Sequence, residues 1–123
     1  MAGQLINVTR ALATPDFDPL KPYWQAPNET LDVAGYGGDR FDFGLKVYTI
    51  EGTSPSVTVK LYTSMYNDDD GDVWALLGSF AAVTASNTTA ALSVSSGMLR
   101  YVRWKIEHSN MTLISFEILG VAW

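Results

Sequence analysis

Two matching stretches decide the fold: Ile50–Tyr62, which reads IEGTSPSVTVKLY, and Ile106–Ile118, which reads IEHSNMTLISFEI. Each consists of a strand end, a short polar turn and a new strand in which apolar residues alternate with others. A period of two places one set of side chains on each face of a strand. Each stretch therefore predicts a β-hairpin in a sheet, and the repeat predicts a scaffold.

The residues around these stretches continue the same pattern. Arg40–Glu51 and Leu99–His108 alternate apolar with polar side chains, and Met111–Trp123 closes the chain on a further strand. Turn signals rich in Gly, Ser and Pro separate these segments, and no helical periodicity of useful length is present. About seven short strands at this spacing predict an all-β fold, an antiparallel, jelly-roll-like β-sandwich over residues 30–123.

Residues 1–29 differ from the rest of the chain because prolines recur there. Pro15, Pro19, Pro22 and Pro27 each restrict the backbone, which rules out a helix or a central strand. The same segment contains large apolar residues that a solvated linker would not favour, namely Phe17, Leu20, Tyr23 and Trp24. We therefore expect an extended arm that lies against the domain or a neighbouring subunit, rather than a disordered tail.

Composition limits the possible functions. Hydrophobic residues make up 47% of the 123 residues and charged residues 17%, which is typical of one compact β-rich domain. The net charge of -5 argues against a nucleic-acid partner. The chain has no cysteine, which excludes disulfides and thiolate zinc sites. No secretory signal pattern and no apolar run of membrane-spanning length are present, so we expect no membrane partner and synthesis in a cytoplasm.

The acidic loop Asn67–Asp72 is the candidate metal site, with Asp68, Asp70 and Asp72 as possible calcium ligands. An EF-hand register that uses Gly71 as the sixth residue puts Tyr66 first and Leu77 twelfth, and neither side chain is a ligand. A solvated loop tip is the favoured interpretation, because Asn, Asp and Gly dominate turns for conformational reasons. No cofactor is expected.

Catalytic patterns are missing from the sequence. His108 is the only histidine, and without a nucleophile motif it is interpreted as a surface turn residue. The carboxylates lie in polar strand phases and are interpreted as outward-facing: Asp32, Asp42, Glu51, Glu107 and Glu117. Arg100, Arg103 and Lys105 form a small basic group beside Tyr101, for which cross-strand ion pairs are the preferred interpretation. We expect no enzyme.

Aromatic residues are more numerous than one small core requires. Trp74 and Trp104 lie in apolar strand phases and are predicted core residues. Together with the four residues of the arm, the remaining candidates for a partner interface are Tyr48, Tyr62, Tyr66, Tyr101 and Trp123. Tyr and Trp are favoured at protein contacts and also line carbohydrate sites, so both uses predict a binding module.

The run from Phe43 to Trp123 resembles small virion-associated proteins of tailed bacteriophages. The matching positions are the G-T-x-P turn at Gly52–Pro55, the T-S-M strand end at Thr63–Met65, the tryptophan strand at Trp74–Phe80 and the Y-V-R-x-K strand at Tyr101–Lys105. The Y-V-R element also resembles discoidin-like jelly rolls. Two departures are a longer acidic loop and a second turn, His108–Met111, without the G-T-x-P signature.

The resemblance implies a non-enzymatic virion structural protein, most simply a capsid decoration or accessory head protein. Its implied partners are the major capsid protein or other virion proteins and further copies of the chain, as a dimer or trimer. Its implied location is the capsid or tail surface. A carbohydrate-binding module, a small hydrolase or lyase, and a β-sandwich of another role are the alternatives.

Overall fold

The computed structural model describes residues 4–13, 23–25, 30–33, 40–68, 71–95 and 97–122. These residues form strands and one 3₁₀ turn, Gly71–Val73, which confirms the predicted all-β class. The strands are β1 (Gln4–Ala13), β2 (Tyr23–Trp24), β3 (Leu31–Asp32), β4 (Phe41–Ser64), β5 (Ala75–Ser79), β6 (Thr88–Val94) and β7 (Tyr101–Ala122). Within the described ranges, no helix has the length and apolarity needed to cross a membrane.

The framework is a ribbon of two long antiparallel strands, β4 and β7, of 24 and 22 residues. Phe41 pairs with Ala122 at one end, and Ser64 pairs with Tyr101 at the other. The register shifts between Gly52 and Ser56, where both strands bend. The ribbon therefore has a first half, residues 41–51 with 111–122, and a second half, residues 56–64 with 101–109.

The hairpin prediction is wrong, because the two polar turns are bends within continuous strands. In the first half, Val47 lies between Thr88 of β6 and Phe116 of β7. In the second half, Lys60 lies between Ser79 of β5 and Lys105 of β7. A strand has only two edges, so the halves of β4 cannot also pair with each other.

The sheet curls so that its two halves face one another. Trp104 and Phe116 are twelve positions apart on β7, which corresponds to about 40 Å along a straight strand. Their ring centroids are 5.1 Å apart in an edge-to-face arrangement. The inward side chains of both halves consequently form one core, which includes Val47, Val59, Leu61, Ile106, Ile114 and Ile118. A jelly-roll sandwich in the strict sense stays a prediction.

The shorter strands flank the ribbon on both sides. β6 pairs with the first half of β4 and β5 with its second half, while β1 pairs with β7 from Gln4–Ala122 to Ala13–Ile114. β2 and β3 pair with the second half of β7. Part of the segment 1–29 therefore contributes backbone to the same sheet, and a domain boundary after residue 29 stays a prediction.

Candidate functional site

The outer surface of the second half carries a group of aromatic and charged side chains. Val57, Val59 and Leu61 point into the core, so the alternate residues of β4 point outward. The same alternation on β7 sends Val102, Trp104 and Ile106 inward. We call this outer surface the Tyr62 face, formed by Lys60, Tyr62, Leu76, Tyr101, Arg103, Lys105 and Glu107.

Cations lie beside the two tyrosines of the Tyr62 face. The Lys105 Nζ atom is 5.5 Å from the centroid of the Tyr62 ring. The Arg100 Cζ atom is 5.1 Å from the centroid of the Tyr101 ring. Both tyrosines are half-buried, so each ring has one part in contact with the protein and another part in contact with solvent. Such rings suit contact with a partner surface or with a sugar.

Ion pairs organise the charged residues of this surface. Lys60 Nζ lies 2.9 Å and Lys105 Nζ 3.5 Å from Oε1 of Glu107. The hydrogen bond from Lys60, with the positive charges of both lysines, holds the pKa of Glu107 below its ordinary value. The same hydrogen bond raises the pKa of Lys60. The Arg100–Asp32 pair at 3.1 Å confirms the predicted ion pairing between strands for Arg100, whereas Lys105 pairs with Glu107 of its own strand, β7.

Arg103 departs from that prediction because its side chain is buried, with only 2% of its surface exposed. Its Nε donates a hydrogen bond to the Gln25 carbonyl oxygen at 2.7 Å. The guanidinium carbon lies 5.6 Å from the centroid of the Trp74 ring. Gln25 is buried as well, and its N–H donates to the Trp104 carbonyl oxygen at 3.0 Å. Arg103 therefore connects Gln25 to the outer side of β7.

The two predicted core tryptophans occupy different environments. Trp104 belongs to the main core, as predicted. Trp74 is also buried, but it lies against Arg103 on the outer side of the sheet. Its indole N–H donates to the Asp68 carbonyl oxygen at 2.7 Å, which ties the acidic loop to this surface. The sequence signal for Trp74 was correct for burial but did not distinguish the two sides.

An exposed apolar group lies at the end of the second half. Met65, Tyr66 and Leu76 have 55%, 68% and 55% of their surface exposed. Leu76 pairs with Tyr62 across β4 and β5, and Met65 and Tyr66 directly follow the end of β4, so all three lie at one end of the sheet. We call these three residues the apolar rim. Met65 and Leu76 were missed at the sequence level, because exposure of an apolar strand residue has no local signature.

The acidic loop makes structural contacts through its first two residues, Asn67 and Asp68. Thr30 Oγ1 donates a hydrogen bond to Asn67 Oδ1 at 2.7 Å, and the Asp68 carbonyl accepts from Trp74. Asp68 and Asp72 are exposed, and Asp70 lies outside the described residues. Within the described ranges, no three His, Asp or Glu side chains come together as a metal-binding group.

The surface interpretation of His108 is wrong. His108 pairs with the buried Val57 and keeps the inward phase of Ile106, because β7 continues through this position instead of turning. Both of its ring nitrogens are buried. The outward placement of the five carboxylates is confirmed: Asp32 and Glu51 are exposed, and Asp42, Glu107 and Glu117 are half-exposed.

The predicted interface residues are only partly brought together. Tyr62 and Tyr101 share the Tyr62 face, and Tyr66 lies in the apolar rim. Tyr48 lies on the first half, where its hydroxyl donates to Glu117 Oε1 at 3.5 Å. Phe17, Leu20 and Trp123, and the side chains of Tyr23 and Trp24, lie outside the described residues. A scan against protein-family models and a search of curated proteins find no match to this chain.

Proposed function

We propose that the chain is a non-enzymatic virion structural protein of a tailed bacteriophage, a capsid decoration or accessory protein that binds the assembled shell. The observation that carries the proposal is the apolar rim, three large side chains that are each more than half exposed. Large exposed apolar groups on one end of a rigid sheet are typical of a protein contact. The motifs behind the phage resemblance support the same role, since Gly52–Pro55 and Tyr101–Lys105 belong to the β4–β7 framework.

The charge pattern of the Tyr62 face fits a contact of this kind. Glu107 pairs with both Lys60 and Lys105 beside the tyrosine rings and offsets part of their positive charge, and Leu76 joins this surface to the apolar rim. Aromatic residues beside ion-paired side chains are typical of the surfaces that proteins use for contact. On a shell with many equivalent sites, even a weak single contact gains strength through multivalency.

The test is occupancy of particles of the phage that encodes the chain, produced without this protein. Purified protein is added, particles are sedimented, and bound copies are counted. A Met65→Ser, Tyr66→Ser, Leu76→Ser variant should lose at least tenfold in apparent affinity. Leu119→Ser is the matched control, because Leu119 is an exposed leucine on the first half, outside the rim. Equal occupancy by the triple variant, or no binding by the wild type, rejects the proposal.

Carbohydrate binding is the second candidate, and the two tyrosines of the Tyr62 face favour it. Their rings share one outer surface with ion-paired side chains that offer hydrogen-bond donors and acceptors. Tyr62→Ala and Tyr101→Ala should then abolish binding on a glycan array while the fold persists. An array on which the wild type shows no signal removes this candidate and leaves the virion role.

A further inference from the structure

Among the described strands, β6 forms an edge of the sheet. Within the described ranges its only strand partner is β4, which it meets in seven consecutive pairs from Phe41–Val94 to Val47–Thr88 without a register shift. An edge strand presents backbone N–H and C=O groups to which another strand can bind. The regular register keeps this edge straight, and no bulge twists it away from an incoming strand.

This edge lacks the features that normally prevent pairing with other chains. From Val73 to Leu99 the chain contains no charged residue, no histidine and no proline. Lysines, prolines and bulges are the usual protection of edge strands. The outward side chains of β6 are small and exposed, namely Thr89, Ala91 and Ser93. Ser93 donates a hydrogen bond to Asp42 of the neighbouring strand, but β6 itself places no charged or bulky side chain opposite an incoming strand.

The strands β6 and β5 lie close to each other where the sheet curls, and no backbone pairing joins them in the described part of the chain. We call this boundary between β5 and β6 the seam. Ala90 and Leu92 pack against the core but are only half-buried. Leu92 reaches towards β5, since its Cδ1 atom would lie 2.8 Å from a Cβ placed on Gly78. Leu77 of β5 is half-buried at the same seam. A strand added to β6 would cover apolar surface here as well as pair its backbone.

We propose that β6 pairs with β6 of a second copy, antiparallel, about a two-fold axis at Ala91. The register then places Ala91 opposite Ala91, Thr89 opposite Ser93 and Ala90 opposite Leu92, so every pair joins small or apolar side chains. In a two-fold contact the same patch of both copies meets itself, so an edge with charges of one sign would repel its copy. The uncharged stretch thus favours a second copy over a charged partner strand.

β5 is the weaker edge for this contact. It has five residues, and its pairing with β4 carries a register shift between Leu61 and Tyr62. Its exposed Leu76 already belongs to the apolar rim. The β6 contact adds self-association to the proposed virion role. It rests on that role only in so far as the dimer is placed on a shell. The pairing itself is a property of the free protein.

The first experiment measures the dimer dissociation constant of the full chain by analytical ultracentrifugation. The wild type should be a dimer at micromolar concentration, and Ala91→Lys should raise the dissociation constant at least tenfold. Thr112→Lys is the matched control, because it adds the same charge at an exposed position away from β6. A monomeric wild type, or equal dissociation constants for wild type and Ala91→Lys, overturns the inference.

A disulfide test fixes the register independently of the charge variant. The chain has no cysteine, so Ala91→Cys introduces a single thiol. Residues opposite each other in an antiparallel pair have Cα atoms about 4.5–5.5 Å apart, within the range of a disulfide. With diamide as oxidant, Ala91→Cys should form a covalent dimer and Thr112→Cys should not.

The two proposals fail separately. A β6 dimer that does not bind particles rejects the virion role and leaves the pairing intact. Particle binding by a monomeric protein with no Ala91→Cys disulfide rejects the pairing and leaves the virion role. Formation of a disulfide equally by both cysteine variants shows non-specific collision and also rejects the pairing.

Discussion

Gly52 and Asn110 meet where the β4–β7 ribbon bends, and the approach is so close that a Cβ on Gly52 would overlap the Asn110 carbonyl oxygen. Gly52 has a φ of 146°, and Asn110 lies in the left-handed region with a φ of 57°. Both strands therefore bend through conformations that glycine and asparagine adopt most readily. This contact allows the two halves of the sheet to face each other.

Gly52→Ala should destabilise the fold by roughly 2–4 kcal/mol, because it combines a steric overlap with a backbone conformation unfavourable for alanine. Chemical denaturation measures the change in the free energy of unfolding. Gly97→Ala tests the conformation alone, since Gly97 has a φ of 85° and open space around it. Gly44→Ala is the control for both effects, because Gly44 has open space around it and no positive φ. This substitution should be nearly neutral. Equal losses for Gly52 and Gly97 would contradict the role of the Asn110 contact.

Trp104 and Phe116 should be energetically coupled, because their rings meet across the core although they belong to the same strand. A double-mutant cycle with Trp104→Leu and Phe116→Leu should give a coupling free energy of about 0.5–1.5 kcal/mol. Trp104 with Phe80→Leu serves as the comparison pair, since both side chains belong to the same buried core but no stacked or edge-to-face contact joins their rings. A coupling near zero for Trp104 and Phe116 would contradict the curled arrangement of β7.

Glu107 should make stability depend on pH in the acidic range. Its folded-state pKa is below the ordinary value of 4.5, so its contribution is fully present above that pH and is lost as pH falls through the folded-state pKa. Glu107→Gln should therefore cost about 0.5 kcal/mol at pH 7 and nothing near pH 2. Glu51→Gln, at an exposed carboxylate of the bend, is the control. A cost for Glu107→Gln that does not change with pH would show that the ion pairs contribute nothing.

Arg103→Met should lower the free energy of unfolding by about 2–3 kcal/mol, because it removes a charge-assisted hydrogen bond inside the protein. Hydrogen exchange should show faster exchange of the Gln25 amide, which is bonded to the Trp104 carbonyl. Arg40→Met is the matched control, since Arg40 is an exposed partner of Asp42 at 3.2 Å and should cost less than about 1 kcal/mol. Unchanged Gln25 exchange in Arg103→Met would show that Arg103 does not hold this residue.

The strands themselves could be predicted from the sequence, because alternation is a local property. The alternation in Val57–Thr63 and in Val102–Ile106 predicts which side chains point inward, and these side chains are buried in the structure. The outward phase of Glu107 and Glu117 followed from the same period. The partners of each strand could not be predicted, because strands pair through backbone hydrogen bonds, which leave no recognisable pattern of side chains in the sequence. For this reason the two bends were interpreted as hairpins.

The candidate site could likewise be predicted only in part: the residue types could be recognised, but their spatial arrangement could not. The tyrosines and lysines of the Tyr62 face could be selected by residue type, but their spatial grouping depends on the register between β4 and β7. Burial of Arg103 required Gln25 and Trp74, which are 78 and 29 positions away along the chain. The sequence predicts a turn at His108, but the residue points inward in the structure because β7 continues through this position.

The all-β class, the inward positions of Val57–Thr63 and Val102–Ile106, and the uncharged stretch from Val73 to Leu99 follow from the amino-acid sequence alone. Those features follow from single residues and their nearest neighbours along the chain. The pairing of β4 and β7 into one bent ribbon, and the position of β6 at an edge of the described sheet, are set by the three-dimensional fold. Strand order depends on contacts between residues far apart in sequence, and such contacts form only when the whole sheet closes around a common core.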